Sequence, residues 1–339
     1  MKKYNVGILG ATGAVGREML KVLEERNFPV DEIRLLASER SVGSKITFAG
    51  KEVEVQLADS AAFHGLDFVL GAAANAVAKK FAADIVQAGA VFIDNSSAFR
   101  MDENVPLVVP EINAEDAKQH HGIIANPNCT TIITLVAVNA VNKLSRIRAM
   151  VVSSYQATSG AGAQGPIELE TQMKAIVNRE AIHCEVFPYP IAENVIPQIG
   201  NFMENGYTAE EMKLQNEGRK ILHLPELKVS CTCVRVPVVR SHSVAVTLYT
   251  DAPLKIADVK AAIAREKGCK LYDEPERNLY PMPILTSHQD RVYVGRIRKD
   301  LLHENGICLW CCGDQVRKGA ATNAVQIAET LLESYRSTK

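Results

Sequence analysis

Over the first ~125 residues, short apolar runs alternate with segments of helical spacing. YNVGIL (4–9) predicts a buried strand, and AVGREMLKVLEER (14–26), with apolar positions three and four apart, a helix. IRLLA (33–37) and LDFVLGAAA (66–74) predict two more strands. AVAKKFAADIVQAG (76–89) predicts a helix stopped by glycine, and AVFIDNSS (90–97) another buried strand. This alternation is the pattern of a parallel, doubly wound α/β sheet. After residue 129 the runs lengthen: 148–160, 229–250, 291–298 and 307–313 have strand character, with helical patterns at 167–177 and 209–222 between them. That texture predicts an α+β domain with a mainly antiparallel sheet. Residues 318–337 read as an amphipathic helix. The expected division is therefore a dinucleotide-binding domain over 1–127, onto which a C-terminal helix (318–339) packs back, and a second domain over 128–317.

Size agrees with two domains, since 339 residues exceed the length at which one core keeps growing. Lys+Arg 38 against Asp+Glu 39 gives a net charge of −1, which supplies no basic field for nucleic acid. No run of like charge suits a membrane surface. No apolar run reaches the ~18 residues needed to span a bilayer, and MKKYNVGILGATG enters a turn too early for a signal peptide. A cytoplasmic protein without nucleic-acid or membrane partners is expected. Eight cysteines in a chain of this length are no disulfide framework. Cys231 and Cys233, like Cys308, Cys311 and Cys312, fall in strand-like sequence, where buried thiols are expected rather than metal ligands.

GILGATGAVG sets Gly10, Gly13 and Gly16 between the first strand and the first helix. Glycines there let the backbone approach a pyrophosphate, and the helix N-terminus offers free N–H groups. The strand–turn–helix context makes this triplet a dinucleotide site rather than a bare turn. After the second strand come Ser38, Glu39, Arg40 and Ser41. An acid there suits a ribose hydroxyl pair, an arginine with serines a 2′-phosphate. Both are present; NADP is favoured, with Arg40 on the phosphate and Glu39 read as facing solvent.

Cys129, in IIANPNCTTIITLVAVNAV, stands where a Pro-Asn turn meets an apolar run. A helix starting there would lower the thiol pKa and favour thiolate; a buried core cysteine is the alternative. SYQATSGAGAQG places Gln156 near a strand end ahead of a glycine-rich loop. Arg235 and His242 lie seven residues apart, on opposite faces of an unbroken strand, unless a turn between them brings both to one pocket.

GATGAVG, IDNSSAFRMD, PNCTT, YQATSGAG, EGRKIL and RVPVVRSHS, in this order and over nearly the whole chain, closely resemble the aspartate-β-semialdehyde dehydrogenase family. The resemblance implies a Rossmann-type domain and an α+β catalytic and dimerisation domain. It implies NADPH-dependent reduction of aspartyl-4-phosphate to aspartate semialdehyde with release of phosphate, feeding lysine (through diaminopimelate), threonine, methionine and isoleucine synthesis. A homodimer is implied, with a homotetramer as the alternative. By the same resemblance Cys129 is the nucleophile that forms a thioester, His242 the acid/base and Gln156 the residue that orients the thioester or its attacking group. Arg235 would grip the α-carboxylate, Glu217 the α-amino group, and Lys220, Arg100 and Asn128 the phosphate. The implied cofactor contacts are Gly10, Thr12, Gly13, Ala14, Val15, Gly16, Ser38, Arg40 and Ser41, joined by Ser159, Gly160 and Gln315.

Two departures from the family pattern concern the cofactor. LGAAANAVAKK lacks a serine and a glycine after the third strand, leaving backbone contacts at Ala73 and Ala74, and Gln315 stands where asparagine is common. Among rival chemistries, an N-acetylated γ-glutamyl phosphate carries no ammonium for Glu217 to meet. Glyceraldehyde-phosphate dehydrogenases share the thioester but not these motifs. An inactive relative would be expected to lose Cys129 or His242, and a redox-sensing thiol protein has no use for Arg235, Glu217 and Lys220.

Overall fold

The computed structural model describes residues 2–337. Residue 1 and residues 338–339, the end of the expected helix 318–339, lie outside the described residues. The chain forms two compact units, Met1–Asn128 with Ala320–Lys339, and Cys129–Gly319.

The first unit contains, in order, β1 (Tyr4–Leu9), α1 (Ala14–Glu25), β2 (Val30–Ala37), β3 (Lys45–Phe48), β4 (Lys51–Leu57), β5 (Phe68–Gly71), α2 (Asn75–Gln87), β6 (Val91–Asp94), the single turn α3 (Pro110–Asn113) and β7 (Ile123–Ala125). The C-terminal helix Thr322–Ser337 belongs to the same unit. The seven strands lie in the order β3-β4-β2-β1-β5-β6-β7, all parallel except the β3–β4 hairpin. That hairpin adds to the predicted elements; Ala49 and Gly50 at its tip both have positive φ, as a tight turn between twisted strands requires.

Alternation along the central strands explains why they read as unbroken apolar runs. Ile8, Leu35, Leu70 and Ile93 face a core shared with α1 and the C-terminal helix. Their neighbours Leu9, Leu36, Val69 and Phe92 face a second core, shared with Phe81 and Ile85 of α2. A parallel sheet covered on both faces needs apolar residues at every position. The C-terminal helix is less amphipathic than its pattern suggests. Arg317–Ala321 form a π-helical turn, and beyond it Thr322 and Asn323 are as buried as Ala324 and Val325.

The second unit contains α4 (Cys129–Leu144), β8 (Ile147–Gln156), α5 (Gln164–Asn178), α6 (Ala209–Ile221), β9 (Lys228–Arg235), β10 (His242–Thr250), α7 (Ile256–Arg265), β11 (Cys269–Leu271), β12 (Val292–Lys299) and β13 (Gly306–Gly313). Its sheet has the order β11-β12-β13-β10-β8-β9. The inner pairs are antiparallel, as expected, but β11–β12 and β8–β9 are parallel, so the sheet is mixed. The run 229–250 is two strands, broken at 236–241. α4 is buried on all sides from Thr130 to Val141, which is why its sequence shows no polar stripe. α6 starts on a capping box, Thr208 and Glu211 exchanging side-chain and backbone hydrogen bonds. Among the described residues, no helix is long and apolar enough to cross a membrane.

Candidate active site

In the second unit, one end of the sheet gathers the side chains that the sequence spreads over more than a hundred positions. β8 and β9 run parallel and finish together, with Gln156 opposite Arg235. β10 runs back between β8 and β13, so His242, its first residue, lies at that same end. The break at 236–241 is what brings Arg235 and His242 to one side. Ser241 holds it with φ of 78°, a left-handed conformation rare for serine, kept in place by the Gln315 side chain accepting its N–H at 2.8 Å.

Cys129 reaches this end as the first residue of α4, where helix N–H groups and the positive end of the dipole collect. Its thiol is half-buried, and its Sγ lies 3.6 Å from Nε2 of His242. The other ring nitrogen, Nδ1, accepts the Ala157 N–H at 3.1 Å. An Nδ1 that accepts leaves the proton of a neutral imidazole on Nε2, aimed at the sulfur. Burial, reinforced by the Arg235 charge and opposed by Glu210, lowers the His242 pKa to about 3, so the ring is neutral at ordinary pH. Arg235 is buried; its Nη1 donates to the Ala157 carbonyl at 2.6 Å, and its guanidinium lies over the Phe187 ring, 5.9 Å from the centroid. Burial lowers the Arg235 pKa, and the Cys129, Glu210 and Cys233 side chains counter that shift. The main chain of one residue, Ala157, therefore orients both His242, through its N–H, and Arg235, through its carbonyl.

Two glycines make the cluster compact. A Cβ on Gly160 would sit 2.8 Å from Nη1 of Arg235 and 3.1 Å from Cε1 of His242. One on Gly319 would sit 2.9 Å from the Cβ of Cys129. The sequence reading placed Gly160 with the cofactor contacts and passed over Gly319. Ser159 and Gln315, expected on the cofactor, are hydrogen-bonded to each other. Gln156 is buried, with its amide nitrogen toward Ser154 and Glu210. Glu217 is buried on α6 and Lys220 half-buried one turn further. Cys231 and Cys233 are buried on β9; among the described residues no group of three ligands could hold a metal ion.

In the first unit, a cavity of about 550 Å³ opens beside the turn after β1, lined by Gly10, Thr12, Gly13, Ser38, Glu39, Arg40, Ala73 and Lys80 among others. Gly10 has φ of 89°, and a Cβ there would lie 2.7 Å from the Ala72 carbonyl oxygen. Gly16 does not line the cavity. It is buried where a Cβ would meet the Gly10 oxygen at 2.4 Å, so its part is close helix–strand packing. Ala14 and Val15 form the first turn of α1 outside the cavity wall, and Ser41 adjoins it through Thr12, hydroxyl to hydroxyl at 3.4 Å. Glu39, read as facing solvent, is exposed and also lines the cavity.

Arg100 and Asn128 belong to this unit too. Arg100 is buried and donates to the backbone carbonyls of Asn126 and Asn95, at 3.0 and 2.7 Å. Asn126 in turn bonds the Asn95 side chain and accepts from Asn323 of the C-terminal helix. This asparagine network, not evident in the sequence, fixes the backbone leading into Asn128.

Comparison with known proteins agrees with the geometry. The model of the semialdehyde dehydrogenase NAD binding domain matches residues 5–120, and that of the semialdehyde dehydrogenase dimerisation domain residues 139–318. The aspartate-semialdehyde dehydrogenase of Synechocystis is 50% identical over 328 residues, covering 97% of each chain. That of Bacillus subtilis is 48% identical over 335 residues, covering 96% of this chain and 97% of its own. The structure of aspartate semialdehyde dehydrogenase II from Vibrio cholerae complexed with ASA superposes with a TM-score of 0.95 at 44% identity, covering 99% of this chain and all of that one. With both domains matched and identity near one half from end to end, this chain belongs to the aspartate-semialdehyde dehydrogenase family.

Proposed function

We propose that this chain reduces aspartyl-4-phosphate to aspartate-4-semialdehyde with NADPH, releasing phosphate, through a thioester on Cys129. The observation that carries the reading is the 3.6 Å approach of a neutral, Nε2-protonated His242 to an accessible sulfur at a helix N-terminus. Further support comes from the Vibrio cholerae relative, whose structure holds ASA.

The thiolate of Cys129 attacks the acyl carbon, a C–S bond forms, the C–O bond to phosphate breaks, and phosphate leaves. Splitting the reaction this way leaves a thioester to be reduced. When the oxyanion of the resulting hemithioacetal collapses, its C–S bond breaks, the aldehyde departs and the thiolate is restored. His242 serves both stages as a proton-bearing partner: its Nε2–H steadies the thiolate before attack and the developing oxygen charge afterwards. Arg235, held by Ala157, offers its remaining N–H groups to the substrate carboxylate. The α-amino group falls to Glu217, and the phosphate to Lys220, Arg100 and Asn128.

The first-unit cavity fits a dinucleotide. Its Gly10–Gly13 turn tolerates no side chain at Gly10, opens onto the cavity and leads into α1. Arg40 would pair with a 2′-phosphate and Ser38 lies beside it. NADPH held there would supply the hydride that reduces the thioester. The match to a dimerisation domain, together with Val151 and Tyr155 exposed on β8, supports a homodimer built on the open face of the second unit's sheet.

The test is the reverse reaction, following reduced-nicotinamide absorbance with aspartate semialdehyde, phosphate and either NADP or NAD. Phosphate-dependent NADPH formation is expected, with a loss of about 10³-fold or more in Cys129→Ala. Turnover by Cys129→Ala at the wild-type rate would sink the thioester, and a preference for NAD would sink the cofactor assignment.

A further inference from the structure

We infer that Glu210 is a positioning residue for this reaction: its carboxylate fixes which end of the Gln156 amide is turned toward the substrate. The inference rests on the function proposed above. Glu210 stands in the first turn of α6, placed there by the Thr208–Glu211 capping box, and is itself buried. Its Oε1 lies 3.4 Å from Nε2 of Gln156, whose other amide hydrogen faces the Ser154 hydroxyl at 3.3 Å. Serine can donate or accept and so cannot choose between the two ends of an amide. A carboxylate can only accept. Glu210 therefore decides the matter, turning the amide nitrogen toward itself and leaving the Gln156 oxygen as the group presented to the reacting molecule. An oxygen there accepts hydrogen bonds from an ammonium or a hydroxyl. It cannot stabilise an oxyanion, a task that falls to His242 Nε2–H. The carboxylate's second oxygen meets Lys213 Nζ at 2.7 Å, on the more exposed side of α6. Glu210 also lies within electrostatic reach of Arg235 and His242, which places its charge at the cluster rather than only at the helix surface. It is seven residues before Glu217, two helical turns, and so on the same side of α6.

The test uses Glu210→Gln, which keeps the shape but restores a donor and so frees the Gln156 amide to take either orientation. Lys213→Met removes only the ion pair. In the full-length enzyme, kcat/KM for aspartate semialdehyde is expected to fall about tenfold in Glu210→Gln, mainly in kcat, and to stay within about twofold in Lys213→Met. In a Gln156→Ala background the Glu210→Gln loss should nearly vanish, because the two act as one unit. An equal loss in Lys213→Met, or a full loss persisting without Gln156, overturns the inference. A second reading needs no turnover: the side-chain NH2 resonance of Gln156, assigned by its absence in Gln156→Ala, should move in Glu210→Gln and hold still in Lys213→Met. An unmoved resonance overturns the positioning role. An enzyme inert toward aspartate semialdehyde, with the resonance moved, overturns the proposed function and leaves the amide anchor standing.

Discussion

The cavity of the first unit and the thiol cluster of the second are made of different materials. Around Gly10, Gly13 and Gly16 the shape is set by main chain against main chain; the atoms a side chain would strike are the carbonyl oxygens of Ala72 and Gly10. In the second unit the working groups are side chains, and the two peptides flanking Ala157 hold His242 by an N–H and Arg235 by a carbonyl. Main chain cannot step aside without unpairing its own hydrogen bonds. A side chain can rotate, keeping the fold while losing its aim. The same small substitution should therefore damage folding in one unit and chemistry in the other.

Gly160→Ala tests the second half of that contrast and should have the larger effect on activity. Its added methyl meets the end of Arg235 and the ring of His242, not backbone. Arg235 can swing off the Ala157 carbonyl, at a cost in stability of about 1.5–3 kcal/mol, the worth of a hydrogen bond made by a charged group. The misplacement should lower kcat/KM about 10²-fold, with KM for the semialdehyde rising as the carboxylate grip loosens. Steady-state kinetics beside a thermal melt decide it: a large fall in melting temperature with kinetics intact would reverse the assignment of materials.

Gly16→Ala tests the first half. The new Cβ would be 2.4 Å from the Gly10 oxygen and 2.8 Å from the Ala11 Cα, so β1 and α1 must part. Overpacking of this kind costs about 1–3 kcal/mol. The expected result is a lower urea midpoint and weaker nucleotide binding, while alkylation of Cys129 by iodoacetamide proceeds as in wild type. A variant as stable as wild type would show that the helix can shift freely.

The contrast also explains which parts were readable in the sequence. A glycine turn between a strand and a helix is local, and every residue needed to recognise it lies within ten positions. The two-faced apolar strands of the parallel sheet are local in the same sense. The thiol cluster is not: 113 residues separate Cys129 from His242, and whether Arg235 and His242 share a side depends on a turn ending at a strained serine. Resemblance to a family supplied those residues; spacing alone left their faces open. Gly319 and the Asn95–Asn126–Asn323 network gave no signal because their meaning lies in close approach and in buried hydrogen bonds. Glu210 left a faint one, the T-x-x-E box that starts α6 and sets it two turns before Glu217. That β8–β9 and β11–β12 pair in parallel within a mainly antiparallel sheet left no mark, because strand pattern reports burial, not direction.

The smallest effect at neutral pH should come from the charge state of His242. Burial first, then the Arg235 charge, hold its pKa near 3 against the ordinary 6.5, with Glu210 pulling the other way. As pH falls below 6.5 the unfolded chain takes up a proton that the folded protein refuses until about pH 3, so stability declines through that window. One such group contributes a slope of at most about 1.4 kcal/mol per pH unit. His242→Gln removes it, while every other titrating group stays in both proteins. Urea unfolding at pH 7 and pH 4.5 should show the wild type losing more stability than the variant. The difference is bounded by that slope over the two units between pH 6.5 and 4.5, about 3 kcal/mol. Parallel pH curves would mean that His242 is readily protonated in the folded state. The Nε2–H that faces Cys129 would then belong to an imidazolium below pH 6.5 rather than to a neutral ring.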